Sequence, residues 1–333
     1  MNTAAIRANR RKLLILAAIV LLCAAGYMLV EVNFSNPKLL AYAMKIRTPK
    51  LIVMLITAFS IGGASLVFQS IINNTIVTPC LLGMNSLYTL IHTAVVFFLG
   101  SASVVASNAN LSFAVDVVFM GITATIIYSW IFKKTKHNVL YVLLVGTVLT
   151  SFFSSVLTSF FSSIQTTLTR VMDPNEYDSL LNTLVASFSN INSEIIVFSL
   201  ILLAGVIFAL RKELALLDVL TLGKEQAINL GVDYDRCIRR LLLGVTLCIA
   251  VATAMVGPIS FLGLIIANLS RQLLKTFRHT QLVLGSALFG MIVLVGGQLI
   301  VEHVYSYSVP VSVFITVGGG LYFLYLLLTR KKV

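Results

Sequence analysis

The feature that most constrains this chain is a series of apolar runs, most of them long enough to cross a lipid bilayer. They occupy residues 13–30, 51–72, 86–100, 111–132, 139–164, 194–210, 241–256, 259–269, 282–301 and 309–328. A run of about 20 apolar residues crosses lipid as a helix, because a helix satisfies its own backbone hydrogen bonds. The pattern therefore predicts an all-α polytopic membrane protein with about ten transmembrane helices, forming a single transmembrane domain over residues 1–333.

The charged residues indicate how the chain is oriented in the membrane. The net charge is +12, but the basic residues stand at the ends of apolar runs instead of alternating with aromatic residues on a soluble segment. This distribution argues against nucleic-acid binding. If both termini are cytoplasmic, 19 of the 24 basic residues fall inside and 5 outside. Cytoplasmic loops of membrane proteins carry this excess, so we expect both termini on the inner side.

Residues 214–240 are the longest stretch that could not lie inside a bilayer. The sequence LALLDVLTLGKEQAINLGVDYDRCIRR combines charged residues with apolar residues at roughly helical spacing. Glycine commonly ends a short helix, so the segment is predicted to form two short helices joined at Gly223. An amphipathic surface of this kind contacts lipid headgroups or another protein. A solvated loop with some helical content is the alternative.

Gly257 and Pro258 interrupt the apolar pattern near the end of the seventh run. The following run, residues 259–269, would span about 16 Å as a helix, whereas the hydrocarbon core is about 30 Å thick. The chain therefore breaks inside the membrane, where irregular backbone must face protein or a water-filled cavity. We expect the sequence GPISFLGL to line a vestibule. A simple kinked helix is the alternative.

The fifth run carries hydroxyl side chains on one predicted helical face. They lie at intervals of three and four residues: Ser151, Ser155, Thr158, Ser162 and Thr166. Such a face can line a transport path, or its hydroxyls can bond carbonyls of their own helix. In the second run, small residues between Ala58 and Ala64 predict close helix packing.

Three further groups of residues lead to predictions. Asp116, near the outer end of the fourth run, is expected to be wet and structural, although an acid inside a span is a functional candidate by default. Asp173, Pro174 and Glu176 predict a capped helix on the outer surface. Outside basic residues, against the general charge bias, suggest an acidic partner surface or lipid headgroups: Lys38, Lys45, Arg47 and Lys50.

The sequence lacks recognisable catalytic and metal-binding patterns. Gly223 and Lys224 are followed by Glu225 and lack the upstream glycine of a phosphate-binding loop. The four histidines have no metal-ligand spacing. We therefore expect no catalytic residue, metal site or cofactor in this chain.

Three blocks of sequence resemble the FecCD family, the membrane subunits of ABC importers for ferric siderophores, haem and cobalamin. The first is the family's L-x-x-L-x-L-G-x-x-x-A-x-x-L-G pattern, matched at Leu217, Leu220, Leu222, Gly223, Ala227, Leu230 and Gly231. The second is a Q-x-x-x-x-N-P-L-A-x-P-x-x-L-G run, matched at Gln69, Asn74, Pro79, Leu82 and Gly83, with Thr75 replacing the first proline. The third is G-x-I-x-F-x-G-L from Gly257, after which Ala267 and Asn268 replace the family's Pro-His.

This resemblance implies a type II ABC importer permease fold and a set of partners. Two permease subunits, identical or homologous, would form the pathway. Cytoplasmic ATPase subunits, which bind ATP and Mg²⁺, would dock on a coupling segment at residues 214–235. An extracytoplasmic binding protein would dock on Arg47 and Lys50, which occupy the family's R-x-P-R positions. The path would include the hydroxyl face, Gly257 and Pro258, and the protein would lie in the bacterial cytoplasmic membrane.

Other functions remain possible at this point. Within the family, cobalamin and haem are alternatives to a ferric siderophore. An ion-coupled secondary transporter is an alternative of another class, but it normally carries ionisable residues near the middle of the membrane. Apart from Asp116, the predicted spans carry none.

Overall fold

The computed structural model describes residues 3–32, 35–134, 155–156, 158–188, 193–305 and 309–329. Every regular element in these ranges is helical. The long helices are α1 (Thr3–Leu29), α2 (Pro37–Ile72), α3 (Met84–Leu99), α5 (Ala109–Lys134), α6 (158–171), α8 (Ser193–Ala215), α11 (Tyr234–Val256), α12 (Leu262–Leu274), α13 (His279–His303) and α14 (Val311–Thr329). The short ones are a 3₁₀ turn (Pro79–Leu82), α4 (Val104–Ser107), α7 (Pro174–Leu184), α9 (Leu217–Leu220) and α10 (Lys224–Asn229).

Six of these helices are long and apolar enough to cross a membrane: α1, α2, α5, α8, α11 and α13. Helices α3, α12 and α14 are apolar but shorter. The fifth predicted span, residues 139–164, lies mostly outside the described residues. The chain is therefore an all-helical, multi-pass membrane protein, and the count of ten spans stays a prediction.

The core is built around α2, α11 and α13. Small residues let α2 and α13 approach closely, because a Cβ atom added to Gly62 would lie 3.0 Å from the backbone of Ser286. Ser286 Oγ also donates to the Gly62 carbonyl at 3.0 Å. Gly290 faces Ala58 in the same way, at 3.1 Å. The prediction that the small residues of the second run serve packing is confirmed.

Helix α2 begins earlier than the apolar pattern predicted. It starts at Pro37, capped by the Asn36 side chain, and continues through Pro49 to Ile72. The predicted span from residue 51 lies within this helix, which extends further towards its N-terminus because loss of apolar character marks where a helix leaves lipid and not where it ends. The outside basic residues consequently lie on a helix and not on a loop.

The break after α11 is confirmed, with a shifted helix. Helix α11 ends at Val256, and α12 starts at Leu262 instead of residue 259. Phe261 precedes α12 with a left-handed backbone, at φ 61°. The 13 residues of α12 span about 20 Å, which is still too short to cross the hydrocarbon core alone.

Candidate functional site

The segment from α9 to α10 presents two different faces. Leu217, Leu220 and Ala227 are buried in the main core, with exposed fractions of 0%, 3% and 0%. Leu222, Ile228 and Leu230 are 58%, 52% and 63% exposed. The predicted pair of short helices is therefore present, and its apolar residues divide into an anchor and an outward surface. We call Leu222, Ile228 and Leu230 the outward apolar surface.

Gly223 lies between the two helices with φ +102°, a conformation that residues with a Cβ atom rarely adopt. It turns the chain between the two helices, and in the residues just before it Leu220 is buried whereas Leu222 is exposed. Gly231 ends the segment with φ +80°, and Val232 N returns to the Ala227 carbonyl at 2.9 Å. This turn gives Leu230 its exposed position.

Polar contacts hold the segment onto the helices around it. Lys224 Nζ lies 2.9 Å from an Asp235 carboxylate oxygen, and Arg240 donates to Glu213 at 2.6 Å. The Asp218 carboxylate accepts hydrogen bonds from His279 at the start of α13. Sequence reasoning missed this last contact, since 61 residues separate the two side chains and neither carries a recognisable spacing signal.

The backbone break at Gly257 lies under the chain that follows α7. Gly257 has φ +85°, and a Cβ atom there would come 2.9 Å from Ala186 Cα. Ser187 N donates to the Val256 carbonyl at 2.9 Å, and Ser312 Oγ donates to the Ala186 carbonyl at 2.9 Å. The break is thus held between residues 186–187, which follow α7, and α14. Gly257 is buried and Pro258 is half-buried.

The turn between α2 and the 3₁₀ helix is held by side-chain amides. The Thr75 carbonyl accepts from Gln69 Nε2 at 2.8 Å and from Asn268 Nδ2 at 2.9 Å. Asn268 is one of the residues that departs from the FecCD pattern, and it contacts the turn where Thr75 is the other departure. Arg271 Nη2 donates to Ser70 Oγ at 2.8 Å, which joins α12 to α2 beside this turn.

The hydroxyl face is only partly described, because Ser151 lies outside the described residues. Ser155 and Thr166 are exposed, and Thr158 and Ser162 are half-buried. Thr166 Oγ1 donates to the Ser162 carbonyl at 2.7 Å, so this hydroxyl bonds its own helix. Ser163 and Thr167, on another face, are exposed as well. Burial within one chain therefore does not distinguish a path lining from other outward faces.

The outside basic residues differ in their surroundings. Lys38 and Lys45 are exposed, and Arg47 and Lys50 are half-buried. One Arg47 guanidinium nitrogen donates to the carbonyls of Tyr27 and Val30, at 2.9 and 2.8 Å. Arg47 therefore also closes the carboxyl end of α1, a common role for a cation at that position.

The predicted capped helix is present as α7, and its place on the outer surface stays a prediction. Asp173 caps it by accepting from Asn175 N at 2.9 Å, and Pro174 is its first residue. The predicted capping box is replaced by a longer-range contact, since the Glu176 carboxylate accepts from Ser101 N at 2.6 Å. This bond ties α7 to the chain just after α3.

Asp116 lies in a different environment from the one expected. It is 3% exposed, and its carboxylate lies 2.8 Å from Nε2 of His92, which is 8% exposed. The Tyr88 ring packs against His92, with centroids 4.4 Å apart. The prediction of a wet position was wrong, because α3 covers this side of α5.

Comparisons with known proteins agree on one family. The model of the FecCD transport family matches residues 13–329. The petrobactin import system permease protein YclO of Bacillus subtilis (strain 168) is 38% identical over 97% of this chain and 99% of its own. The petrobactin import system permease protein FatC of Bacillus anthracis is 31% identical over 86% of this chain and 79% of its own.

A solved structure shares the fold. It is described as a metal-chelate type ABC transporter in an inward-facing conformation, and it aligns with 96% of this chain and 99% of its own. The TM-score is 0.76 at 21% sequence identity. The arrangement of helices described above is therefore shared with that chain.

Proposed function

Because this chain belongs to the FecCD transport family, we propose that it is the permease subunit of an ATP-driven ABC importer for ferric siderophores. Permease chains of this family move substrate without catalysing a reaction themselves. In this proposal ATP and Mg²⁺ bind to separate cytoplasmic ATPase subunits, and the pathway forms between two permease subunits in the bacterial cytoplasmic membrane. The termini face the cytoplasm.

The observation that carries the proposal is the division of the coupling segment into an anchor and an outward surface. Exposed leucine and isoleucine side chains beside charged residues form a suitable contact for a partner protein. Leu217, Leu220 and Ala227 are buried, so force applied to the outward apolar surface passes into the core. The ATPase subunits are the proposed occupant of this surface, and residues 214–235 are the proposed coupling segment.

The substrate class is supported by the relatives. Two of them are named as petrobactin import permeases, and another, 27% identical, is the iron(3+)-hydroxamate import permease FhuG of Bacillus subtilis. A ferric siderophore is a large chelate, and a path lined by uncharged hydroxyl groups suits its passage. In proteoliposomes with the ATPase and binding protein, ATP-dependent uptake of ferric petrobactin but not of cobalamin or haem is the expected result.

The path is proposed to include Thr158, Ser162 and Thr166 of α6, Ser151 and Ser155 before it, and the break at Gly257 and Pro258. Backbone that leaves the helix inside a membrane must face protein or water, which supports a place at the cavity wall. A leucine at Ser162 should slow uptake more than a leucine at Ser163, which lies on another face. Equal uptake rates would contradict the assignment.

The extracytoplasmic binding protein is proposed to dock on Arg47 and Lys50 at the outer end of α2. Arg47 has a structural role as well, so the rate of docking must be measured separately from stability. Exposed charges steer association in a manner that salt screens. Lys50→Glu should slow association at low salt more than at high salt, and an unchanged rate at low salt would contradict this role.

The coupling assignment is tested on the outward apolar surface. Leu222→Ser with Leu230→Ser should abolish recovery of the ATPase with the permease, because both side chains are exposed and their loss leaves the core intact. Leu222→Met with Leu230→Met is the matched control, since it keeps apolar side chains of similar volume. Wild-type recovery of the ATPase by the double serine variant, with normal amounts in the membrane, would overturn the assignment.

A further inference from the structure

The contact between Asp218 and His279 joins the coupling segment to the first turn of α13. One carboxylate oxygen of Asp218 accepts from the backbone nitrogen of His279 at 2.9 Å and contacts its ring Nδ1 at 2.6 Å. The His279 side chain is 7% exposed, and that of Asp218 is 43% exposed. The residues at the start and end of α9, Leu217 and Leu220, are buried. The backbone at Asp218 is therefore anchored in the core by the buried leucines on either side of it.

This contact differs from the other polar contacts of the segment. Lys224–Asp235 joins α10 to α11, and Glu213–Arg240 joins α8 to α11. These helices are already connected to the segment through the continuous chain. Helix α13 begins 61 residues after Asp218, so the chain itself gives no short connection between them.

Helix α13 can carry a displacement across the molecule. It contacts α12 near its start, where Ser270 Oγ donates to the Leu282 carbonyl at 2.8 Å. In its middle it packs on α2, where Gly290 of α13 faces Ala58 and Gly62 of α2 faces Ser286. At its far end Glu302 accepts from Tyr27 of α1 at 3.1 Å. Tightly packed helices of this kind shift as units between discrete arrangements.

We infer that Asp218 is a positioning residue that transmits movement of the coupling segment to α13, through its hydrogen bonds to His279. The inference rests on the proposed function, since it assigns a route for the motion that ATPase subunits would impose. Its chemistry requires a carboxylate or an amide oxygen at position 218. A negative charge at the start of a helix is also favourable for that helix.

The test compares ATP hydrolysis with uptake in proteoliposomes that contain the permease, the ATPase and the binding protein, with ferric petrobactin as the probe. Asp218→Ala should bind the ATPase within about twofold of wild type. It should raise the ATP consumed per chelate imported by at least about fivefold, within the usual range of coupling between sites. A merely structural residue would lower both activities together and leave this ratio unchanged.

Graded variants separate the two hydrogen bonds. His279→Ala keeps the backbone hydrogen bond to Asp218, so the ATP consumed per chelate imported should rise less than in Asp218→Ala. Asp218→Asn should also have a smaller effect, because the amide oxygen still accepts from the His279 backbone nitrogen. The double variant Asp218→Ala with His279→Ala should be no worse than Asp218→Ala alone, because the ring bond is already lost.

Asp173→Ala is the matched control. It removes another acid whose carboxylate accepts a backbone hydrogen bond at the start of a helix, from Asn175 N at 2.9 Å, but α7 lies outside the coupling segment. Loss of a helix cap lowers stability without touching the contact between the segment and α13, so the ATP consumed per chelate imported should stay at the wild-type value. The inference is overturned by a wild-type ratio in Asp218→Ala, by an equal rise in Asp173→Ala, or by loss of ATPase binding as large as the loss of uptake.

Failure of the proposed function would be visible separately. A wild-type permease that recovers no ATPase and shows no ATP-dependent uptake would overturn that function and this inference with it. If Asp218→Ala does not reach the membrane, His279→Ala and Asp218→Asn test the inference in its place. A wild-type value of ATP consumed per chelate imported in both variants would overturn the inference.

Discussion

At the scale of single residues, the pair formed by Asp116 and His92 shows how a membrane protein accommodates a buried carboxylate. Burying an isolated charge is costly, and here the carboxylate has a partner at 2.8 Å beneath the Tyr88 ring. The pair joins α3 to α5. This enclosure supports the prediction of a structural role.

Removing one partner of this pair should cost more than removing both. His92→Leu leaves the Asp116 carboxylate buried without its partner, so we expect a loss of about 3 kcal/mol in unfolding free energy. His92→Leu with Asp116→Leu removes the uncompensated group and should recover part of that loss. Thermal unfolding in detergent measures both variants. A double variant less stable than either single variant would contradict the pairing.

At the scale of elements, the contact between α2 and α13 depends on the absence of side chains. Apolar burial does not drive helices together in lipid, so close backbone approach supplies the attraction instead. Gly62 and Gly290 provide it against Ser286 and Ala58. This contact also lies on the route that the Asp218 inference requires.

Adding one methyl group at this contact should destabilise the protein. Gly62→Ala places a Cβ atom 3.0 Å from the Ser286 backbone, which cannot move away cheaply, so a loss of about 1–3 kcal/mol is expected. Gly205→Ala in α8 is the matched control, since no atom lies within 4 Å of its added Cβ. Alanine favours a helix by about 0.5–1 kcal/mol over glycine, so the control should be neutral or more stable. Equal melting temperatures for the two variants would contradict the packing assignment.

At the scale of the whole molecule, contacts sort to two opposite ends. The coupling segment, the start of α13 and the end of α12 lie together, and Lys12 Nζ donates to the Leu273 carbonyl there at 2.7 Å. At the other end, Arg47 contacts the end of α1, and Glu302 of α13 contacts Tyr27. The charge bias predicts that the first end faces the cytoplasm.

Cysteine labelling tests this orientation. Ala102→Cys, exposed between α3 and α4, should react with an impermeant thiol reagent in intact cells, above the background of the four native cysteines. Asn229→Cys, exposed at the end of α10, should react only after permeabilisation. Both sites avoid the buried core, so access depends on the side of the membrane. Labelling of Asn229→Cys in intact cells would contradict the predicted orientation.

The sequence by itself determined the helical class, most of the membrane-crossing helices, the turn at Gly223 and the break after Val256. These follow from local causes: the length of apolar runs, the conformational freedom of glycine and the missing N–H of proline. The three FecCD blocks identified the family, since their fixed positions are local as well. The early start of α2 was missed because helix extension beyond lipid leaves no apolar signal.

Only the tertiary structure decided which residues face inward and which residues meet. Apolar side chains suit both a protein core and an exposed contact surface, so the sequence alone does not distinguish Leu220, which is buried, from Leu222, which is exposed. The bonds from Asp116 to His92 and from Asp218 to His279 join helices that are distant in the chain. Such contacts exist only after the helices have packed, because it is packing that brings their partners within hydrogen-bonding distance.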